Sequence, residues 1–510
     1  MNMLPPAIAL FSALLKANGH QVQVFDSTYY TLDYGIDSDG TKQEHLNVVP
    51  FDMGSRGIRL RTTDWREDLR AQLSNYSPDL IAVSTTEDMW HLATRILDES
   101  RDYITRNEIP VIVGGVFPTF APDLCLKHPL VNMVCVGEGE NALIDLCDRL
   151  ERGKDWDDVT NLWVRLRDGT IKRNSISRPV DINSNPIIDV SIFEESRLYR
   201  PMAGKVYKML PVETIRGCPF TCRFCNSPTQ TTLYRGATDS KFLRKKRTDL
   251  VQKELRFFVE NYGIEYCYFW ADTFLAMSNS EFDEFCEMYK EFKLPFWMQT
   301  RPETLSDERI SRLADVGLHR ISFGIEHGNE EFRLRILDRR WKNEDIIESL
   351  KIPHRFGVQF STNNITGFPT ETRELAMDTV ELNRNIEADN ANLYSFAPFH
   401  GTPLRQTCEE MGLIDHETVT RCLTDRPVFD MPQYSADDIM GLRKCFVLYT
   451  KFPKSRWGDI RRAEADTPEG NRIYEELRGE FMENYFTQPE DDVKGEAPNT
   501  ADLEYGVTQK

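Results

Sequence analysis

The sequence predicts an α/β protein built as an N-terminal Rossmann-like doubly wound sheet, a partial (β/α)6 barrel and a helical C-terminal region. Three observations predict it. Residues 1–152 alternate helix and strand patterns, and two of the strands run into Gly114-Gly115 and Gly137-Glu138-Gly139-Glu140. Six further strand–helix units fit within residues 206–405, the repeat of a parallel sheet whose chemistry lies at the strand C-termini. Residues 406–487 carry helical patterns, while residues 488–510 are acidic and poor in apolar side chains, the composition of a disordered tail. Residues 153–205 form a connector between the two sheets.

In order, residues 6–16 read as an apolar-rich helix closed by Asn18-Gly19, and residues 21–26 as a short strand. Residues 28–62 are polar and aperiodic, a length of loop that usually serves function. Asp64-x-x-Glu67 has capping-box spacing and opens a helix to Tyr76. Strands follow at 79–85, 111–113 and 131–136, with helices at 87–107 and 141–152. In the connector, residues 163–167 and 170–173 flank Asp168-Gly169, a two-residue hairpin signal. The barrel strands are expected at 212–215, 266–270, 296–300, 319–324, 359–365 and 392–397, with helices such as 249–261 and 279–291 between them.

Composition narrows the function classes. The 510 residues include 81 acidic and 62 basic side chains, a net charge of −19, which argues against a nucleic-acid binder. No apolar run approaches the ~20 residues of a membrane span. No signal peptide is recognisable, so a cytoplasmic location is expected. Eleven cysteines in that setting are thiols or metal ligands rather than a disulfide framework.

Three of them stand out. Arg216-Gly217-Cys218-Pro219-Phe220-Thr221-Cys222-Arg223-Phe224-Cys225 places three thiols at C-x3-C-x2-C spacing after the first barrel strand. A zinc site needs a fourth ligand, and Asn226 follows directly. A 4Fe–4S cluster can accept three protein thiolates and leave one iron open.

This segment resembles the cluster motif of the radical S-adenosylmethionine (radical SAM) superfamily. The resemblance implies a 4Fe–4S cluster on Cys218, Cys222 and Cys225, with Phe224 beside SAM and the open iron chelated by SAM. It implies reductive cleavage of SAM to a 5′-deoxyadenosyl radical. Later strand ends match the family in order. Asp272 stands where the family carries a polar motif near the SAM amino group; it is an acceptor for the ammonium or a helix cap. Arg301 is a ligand for the SAM carboxylate or a surface ion pair. Glu326 is the acidic group expected at the ribose, and His327 a packing or surface residue. Gly367 lets the backbone approach SAM, while Glu371 caps the next helix. Phe396 and Pro398 belong to the strand-six segment that holds adenine, or to the core.

The N-terminal domain resembles the cobalamin-binding domain that precedes many radical SAM barrels. On the matching positions Ser84, Thr85, Thr86, Gly114, Gly115 and Gly137 would line cobalamin. Two features depart from that pattern. The usual first strand is missing, and so is Asp-x-His-x-x-Gly, whose His coordinates cobalt; His20 and His91 are poor replacements, which implies a His-off cofactor. A degenerate domain serving as lid or scaffold is the alternative. The other eight cysteines, Cys125, Cys135, Cys147, Cys267, Cys286, Cys408, Cys422 and Cys445, are expected to pack as small hydrophobes, with Cys408 near enough to reach the site.

The resemblance implies a cobalamin-dependent methyltransferase acting on an unactivated carbon of a small-molecule or natural-product substrate, reduced by a flavodoxin or ferredoxin. A non-methylating rearrangement, oxidation or cyclisation is the first alternative, and a non-catalytic iron–sulfur redox or scaffold protein the second.

Overall fold

Side chains sent alternately to two helical layers along three short strands build the first sheet. In the computed structural model, which describes residues 4–31 and 38–485, β1 (Ile81–Ser84), β2 (Val111–Gly114) and β3 (Met133–Cys135) run parallel. Val111, Val113 and Val134 share a core with Leu97, Ile104 and Leu126 of the helices on one face. Ile112, Met133 and Cys135 pack with Leu15, Ala142 and Leu146 of the helices Pro6–Ala17 and Glu140–Glu151 on the other. The period of two thus sends successive side chains to opposite helical layers.

The expected hairpin, β4 (Leu162–Arg165) and β5 (Ile171–Arg173), pairs antiparallel onto β3 and extends this sheet. Its turn is longer than two residues. Gly169 N–H donates to the Leu166 carbonyl at 2.9 Å, Leu166 N–H to the Thr170 carbonyl at 2.8 Å, and Gly169 takes φ +85°. Residues 21–26 form no strand. The helix expected over 87–107 is a 3-10 turn and two helices that meet at Ser100. The Ser100 hydroxyl donates back to the Ile96 carbonyl at 2.9 Å, a bond that bends helices.

The second sheet starts with β6 (Tyr199–Met202), antiparallel to β7 (Lys205–Glu213). A two-stranded ribbon follows, β8 (Ile215–Arg216) with β9 (Arg244–Lys245). Then come β10 (Tyr266–Trp270), β11 (Phe296–Thr300), β12 (Leu318–Glu326), β13 (Gln359–Thr366) and β14 (Asn390–Ser395). The order is β14-β13-β12-β11-β10-β7-β6, with parallel pairing from β7 through β14. Leu210, Val212, Phe269, Met298 and Phe323 point to the outer helices, while Tyr207, Met209, Tyr268 and Trp297 point into the lumen. β7 begins seven residues before its expected start at 212, because Pro211 breaks the strand pattern in the sequence.

The 28–62 insertion reaches both open edges of the barrel. Arg56 lies over the Tyr199 ring of edge strand β6 at 5.6 Å, with its Nε donating to the Val206 carbonyl of neighbouring β7 at 3.1 Å, and Asn47 Nδ2 donates to the Ala391 carbonyl of edge strand β14 at 3.3 Å. The helices Ala436–Lys451, Trp457–Ala463 and Pro468–Asn484 share a second core with β14. No helix among the described residues is long and apolar enough to cross a membrane. The expected disordered tail, 488–510, lies outside the described residues.

Candidate active site

The three cysteines sit where the β7 strand end turns over the barrel mouth. Gly217, at φ +94°, lets the chain pass the Leu243 backbone, where a Cβ would come within 3.2 Å of its Cα. Cys225 is the N-cap of the helix Asn226–Thr238, and its sulfur accepts from Ser227 N–H at 3.5 Å. Cys218 Sγ lies 3.4 Å from the Thr273 hydroxyl, and Arg301 Nη1 donates to Cys222 Sγ at 3.6 Å. The loop is pinned by Arg223 N–H to the Leu337 carbonyl (3.2 Å) and Leu404 N–H to the Arg223 carbonyl (3.1 Å). Asn226 Nδ2 donates to the His400 carbonyl at 2.7 Å.

These sulfurs fit an iron–sulfur cluster better than a single ion. Among the described residues no three cysteine sulfurs lie mutually within 4.8 Å. Tetrahedral zinc, with Zn–S near 2.3 Å, needs sulfurs about 3.8 Å apart. Burial raises all three thiols, Cys225 to about 12. Their thiolate forms therefore require a cationic partner.

Acids and guanidinium groups line the mouth. Asp272 faces the open mouth near Ser227, and the protein crowded around it raises its carboxyl. Arg301 is not a surface residue: it stacks over the Phe220 ring at 3.8 Å and pairs with Glu303. Burial works against its charge, yet Glu303 holds it above the ordinary guanidinium value. Glu326 ends β12 at φ +70° and accepts from Arg339 Nη1 at 2.7 Å; burial raises its carboxyl against the pull of Arg339. Gly367 takes φ +87° and its N–H donates to Glu371 at 2.5 Å.

Other expected residues take different places. Glu371 caps no helix: it is fully buried, also accepts from Phe368 N–H at 2.9 Å and pairs with buried His327 at 3.1 Å, and Thr372 caps the helix instead. Phe224 packs on Phe368 at 6.3 Å, and Phe368 on Phe396 at 4.9 Å. Phe396 and Pro398 are buried, which leaves half-buried Ala397 and Phe399 as the accessible groups of that segment. Cys408 and Cys445 are buried in the C-terminal core and Cys125, Cys135, Cys267 and Cys286 in other packed regions; Cys147 and Cys422 are half-buried. Thr273, Glu303 and Arg339 were not singled out by sequence reading; only the folded sheet brings them to the cysteines.

The C-terminal edge of the first sheet faces this mouth. Ser84 and Thr86 are exposed, Thr85 is buried with its hydroxyl on the Thr86 carbonyl (2.8 Å), and Gly114 is half-buried. A Cβ on Gly115, at φ +122°, would collide with the Thr85 carbonyl. These groups offer hydroxyl donors and close backbone approach, a set that fits cobalamin. Gly137 resembles Gly115 in this: a Cβ there would meet the Tyr234 hydroxyl at 2.7 Å, so that face too is taken by protein. His20 is committed to Asp148 at 3.0 Å.

Three acids, half-buried Glu138 and buried Glu140 and Glu87, tie the edges together. Glu138 accepts from Arg216 (2.8 Å) and Arg244 (2.6 Å), and Glu140 from Arg216 (2.6 Å). Glu87 accepts from His400 N–H (2.8 Å) and Thr420 N–H (3.0 Å). Phe117 packs on His400 at 5.4 Å.

A three-thiol loop at the mouth of a partial barrel, held against a glycine- and hydroxyl-edged sheet, defines a two-cofactor α/β protein. Residues 212–382 match the family model of the radical SAM superfamily, and residues 49–146 that of the B12 binding domain. The chain therefore carries a radical SAM domain preceded by a B12 binding domain, and the cofactors these domains imply are a 4Fe–4S cluster, SAM and cobalamin. It is 25% identical over 401 residues to an uncharacterized methyltransferase of Pyrococcus horikoshii, covering 77% of this chain and 83% of that one. It is 24% identical to an anaerobic magnesium-protoporphyrin IX monomethyl ester cyclase of Rubrivivax gelatinosus, over 69% of this chain and 62% of that one. Its fold is similar to that of the radical SAM methyltransferase TsrM of Kitasatospora setae, solved with cobalamin and a [4Fe-4S] cluster: TM-score 0.57, 17% identity, 80% of this chain and 72% of that one.

Proposed function

We propose that the protein is a cobalamin-dependent radical SAM methyltransferase acting on an unactivated carbon of a small molecule, with a flavodoxin- or ferredoxin-type electron donor in the cytoplasm. The observation that carries this reading is the apposition of the two edges, with the cysteine loop on one and Thr86 and Gly115 on the other, joined through Glu138–Arg216. Cofactors at facing edges share one cavity, as radical formation and methyl donation at one carbon require. When bound, the cluster with SAM supplies a 5′-deoxyadenosyl radical and cobalamin supplies a methyl group.

The chain's own residues do the rest. Cys218, Cys222 and Cys225 would hold the cluster, and Arg301 sets a positive charge 3.6 Å from the Cys222 sulfur. Asp272 and the Arg339-held Glu326 offer carboxylates to the SAM ammonium and ribose. Ser84 and Thr86 donate to cobalamin. Phe117 and His400 keep water from the seam.

Anaerobically reconstituted protein given cobalamin, SAM and reductant is expected to form both 5′-deoxyadenosine and S-adenosylhomocysteine. 5′-Deoxyadenosine alone would replace this reading with a rearrangement, oxidation or cyclisation. Neither product would point to a non-catalytic iron–sulfur protein.

A further inference from the structure

Below the cysteine loop, the barrel lumen holds two cations that pair with no carboxylate among the described residues. Arg200, on edge strand β6, lays its guanidinium over the Tyr268 ring at 4.9 Å. Burial lowers its pKa, and the charged group it feels is another cation, Arg197, which Asp26 already pairs at 2.6 Å. Lys42, from the 28–62 insertion, sits 5.9 Å over the Tyr394 ring of β14. Neither Arg200 nor Lys42 has an ion pair among the described residues, whereas the mouth arginines Arg216, Arg301 and Arg339 all do.

The wall behind them is fixed. Tyr268 stacks on Trp297 at 4.0 Å, Trp297 Nε1 donates to the Ser322 hydroxyl at 3.1 Å, and Ser322 bonds Ser361 at 2.8 Å. Trp270, two residues further along the same lumen face, is 45% exposed. Trp297 lies four residues below Arg301, about 13 Å along a strand. A cation held deep in protein without a counter-charge is costly unless an anion completes it.

We propose that this part of the lumen is the subsite for an anionic group of the substrate, a carboxylate or a phosphate, gripped by Arg200 and Lys42. The rest of an elongated substrate then rises past Trp270 to the cluster mouth. The inference rests on the methyltransferase reading for what happens at the mouth; the binding of the anion does not depend on it.

The test is calorimetric titration of cluster-reconstituted, unreduced protein saturated with SAM, so that probes neither displace SAM nor turn over. Benzoate and phenylphosphate are the anionic probes, and benzyl alcohol the neutral one. The anions are expected to bind saturably and the alcohol at least about tenfold more weakly, with the tighter anion identifying the class. Arg200→Gln is expected to weaken anion binding at least about tenfold, and Lys42→Gln by a smaller factor. Arg200→Lys, which keeps the charge, should retain most of it and controls for folding. No anion binding, or equal binding by wild type and Arg200→Gln, would overturn the subsite and leave the methyltransferase reading standing. Intact anion binding without S-adenosylhomocysteine would do the reverse.

Discussion

At the scale of single residues, the site depends on a few groups with no substitute. Cys222→Ala is expected to lose bound iron and 5′-deoxyadenosine formation together, by iron analysis and product assay; iron retained at the wild-type level would remove Cys222 from the ligand set. Arg301→Gln takes a positive charge from beside the Cys222 sulfur. It should lower the cluster's midpoint potential, since neighbouring charge and hydrogen bonds to sulfur set that value; an unchanged potential in a redox titration would contradict it. Gly115→Ala would drive a Cβ into the Thr85 carbonyl and should abolish cobalamin retention on gel filtration while the iron content stays. The cysteines were legible because one short loop fixes their spacing. Arg339, Thr273 and Arg200 were not, because residues far apart in sequence, such as Cys218 and Thr273 at a separation of 55, meet only in the sheet. Glu371 followed helix-cap spacing in the sequence, but four buried donors around it, Gly367, Phe368, Thr366 and His327, outweigh one helix terminus.

At the scale of elements, the 28–62 insertion acts as a strap across the open barrel. His45, on this strap, is half-buried near Arg443 and Lys444. Burial, together with Arg443 and Lys444, lowers this imidazole from 6.5 to about 4. The unfolded chain then binds more protons than the folded one between those values, so stability rises with pH there. The contribution is complete above pH 6.5 and is lost as pH falls toward 4, a difference of order 3 kcal/mol. His45→Gln should flatten the urea-unfolding stability across that window; an unaltered slope would contradict the role. The strap carried no period, so the sequence marked it only as a long insertion. Strands β10, β11 and β13 were legible within a residue, because their apolar runs are bounded by turn residues. β7 was not, because Pro211 interrupts its pattern although its partner Tyr268 leaves the register intact.

At the scale of the whole molecule, the account requires the two sheets to present their C-terminal edges to each other. Charged residues in the Gly137–Glu140 turn make that joint, whereas the sequence resemblance marked Gly137 only as a position lining cobalamin. Glu138→Gln leaves Arg216 and Arg244 facing a neutral amide. It is expected to cost about 1–3 kcal/mol and to expose the segment between the sheets to limited proteolysis; wild-type protease resistance would argue against a joint there. The central claim is that Cys218, Cys222 and Cys225 hold a 4Fe–4S cluster with an iron left for SAM. Electron paramagnetic resonance of the chemically reduced, reconstituted protein tests it most directly. The account predicts a 4Fe–4S signal that changes shape on adding SAM and disappears in Cys222→Ala. A signal indifferent to SAM, or one that survives that substitution, would contradict it.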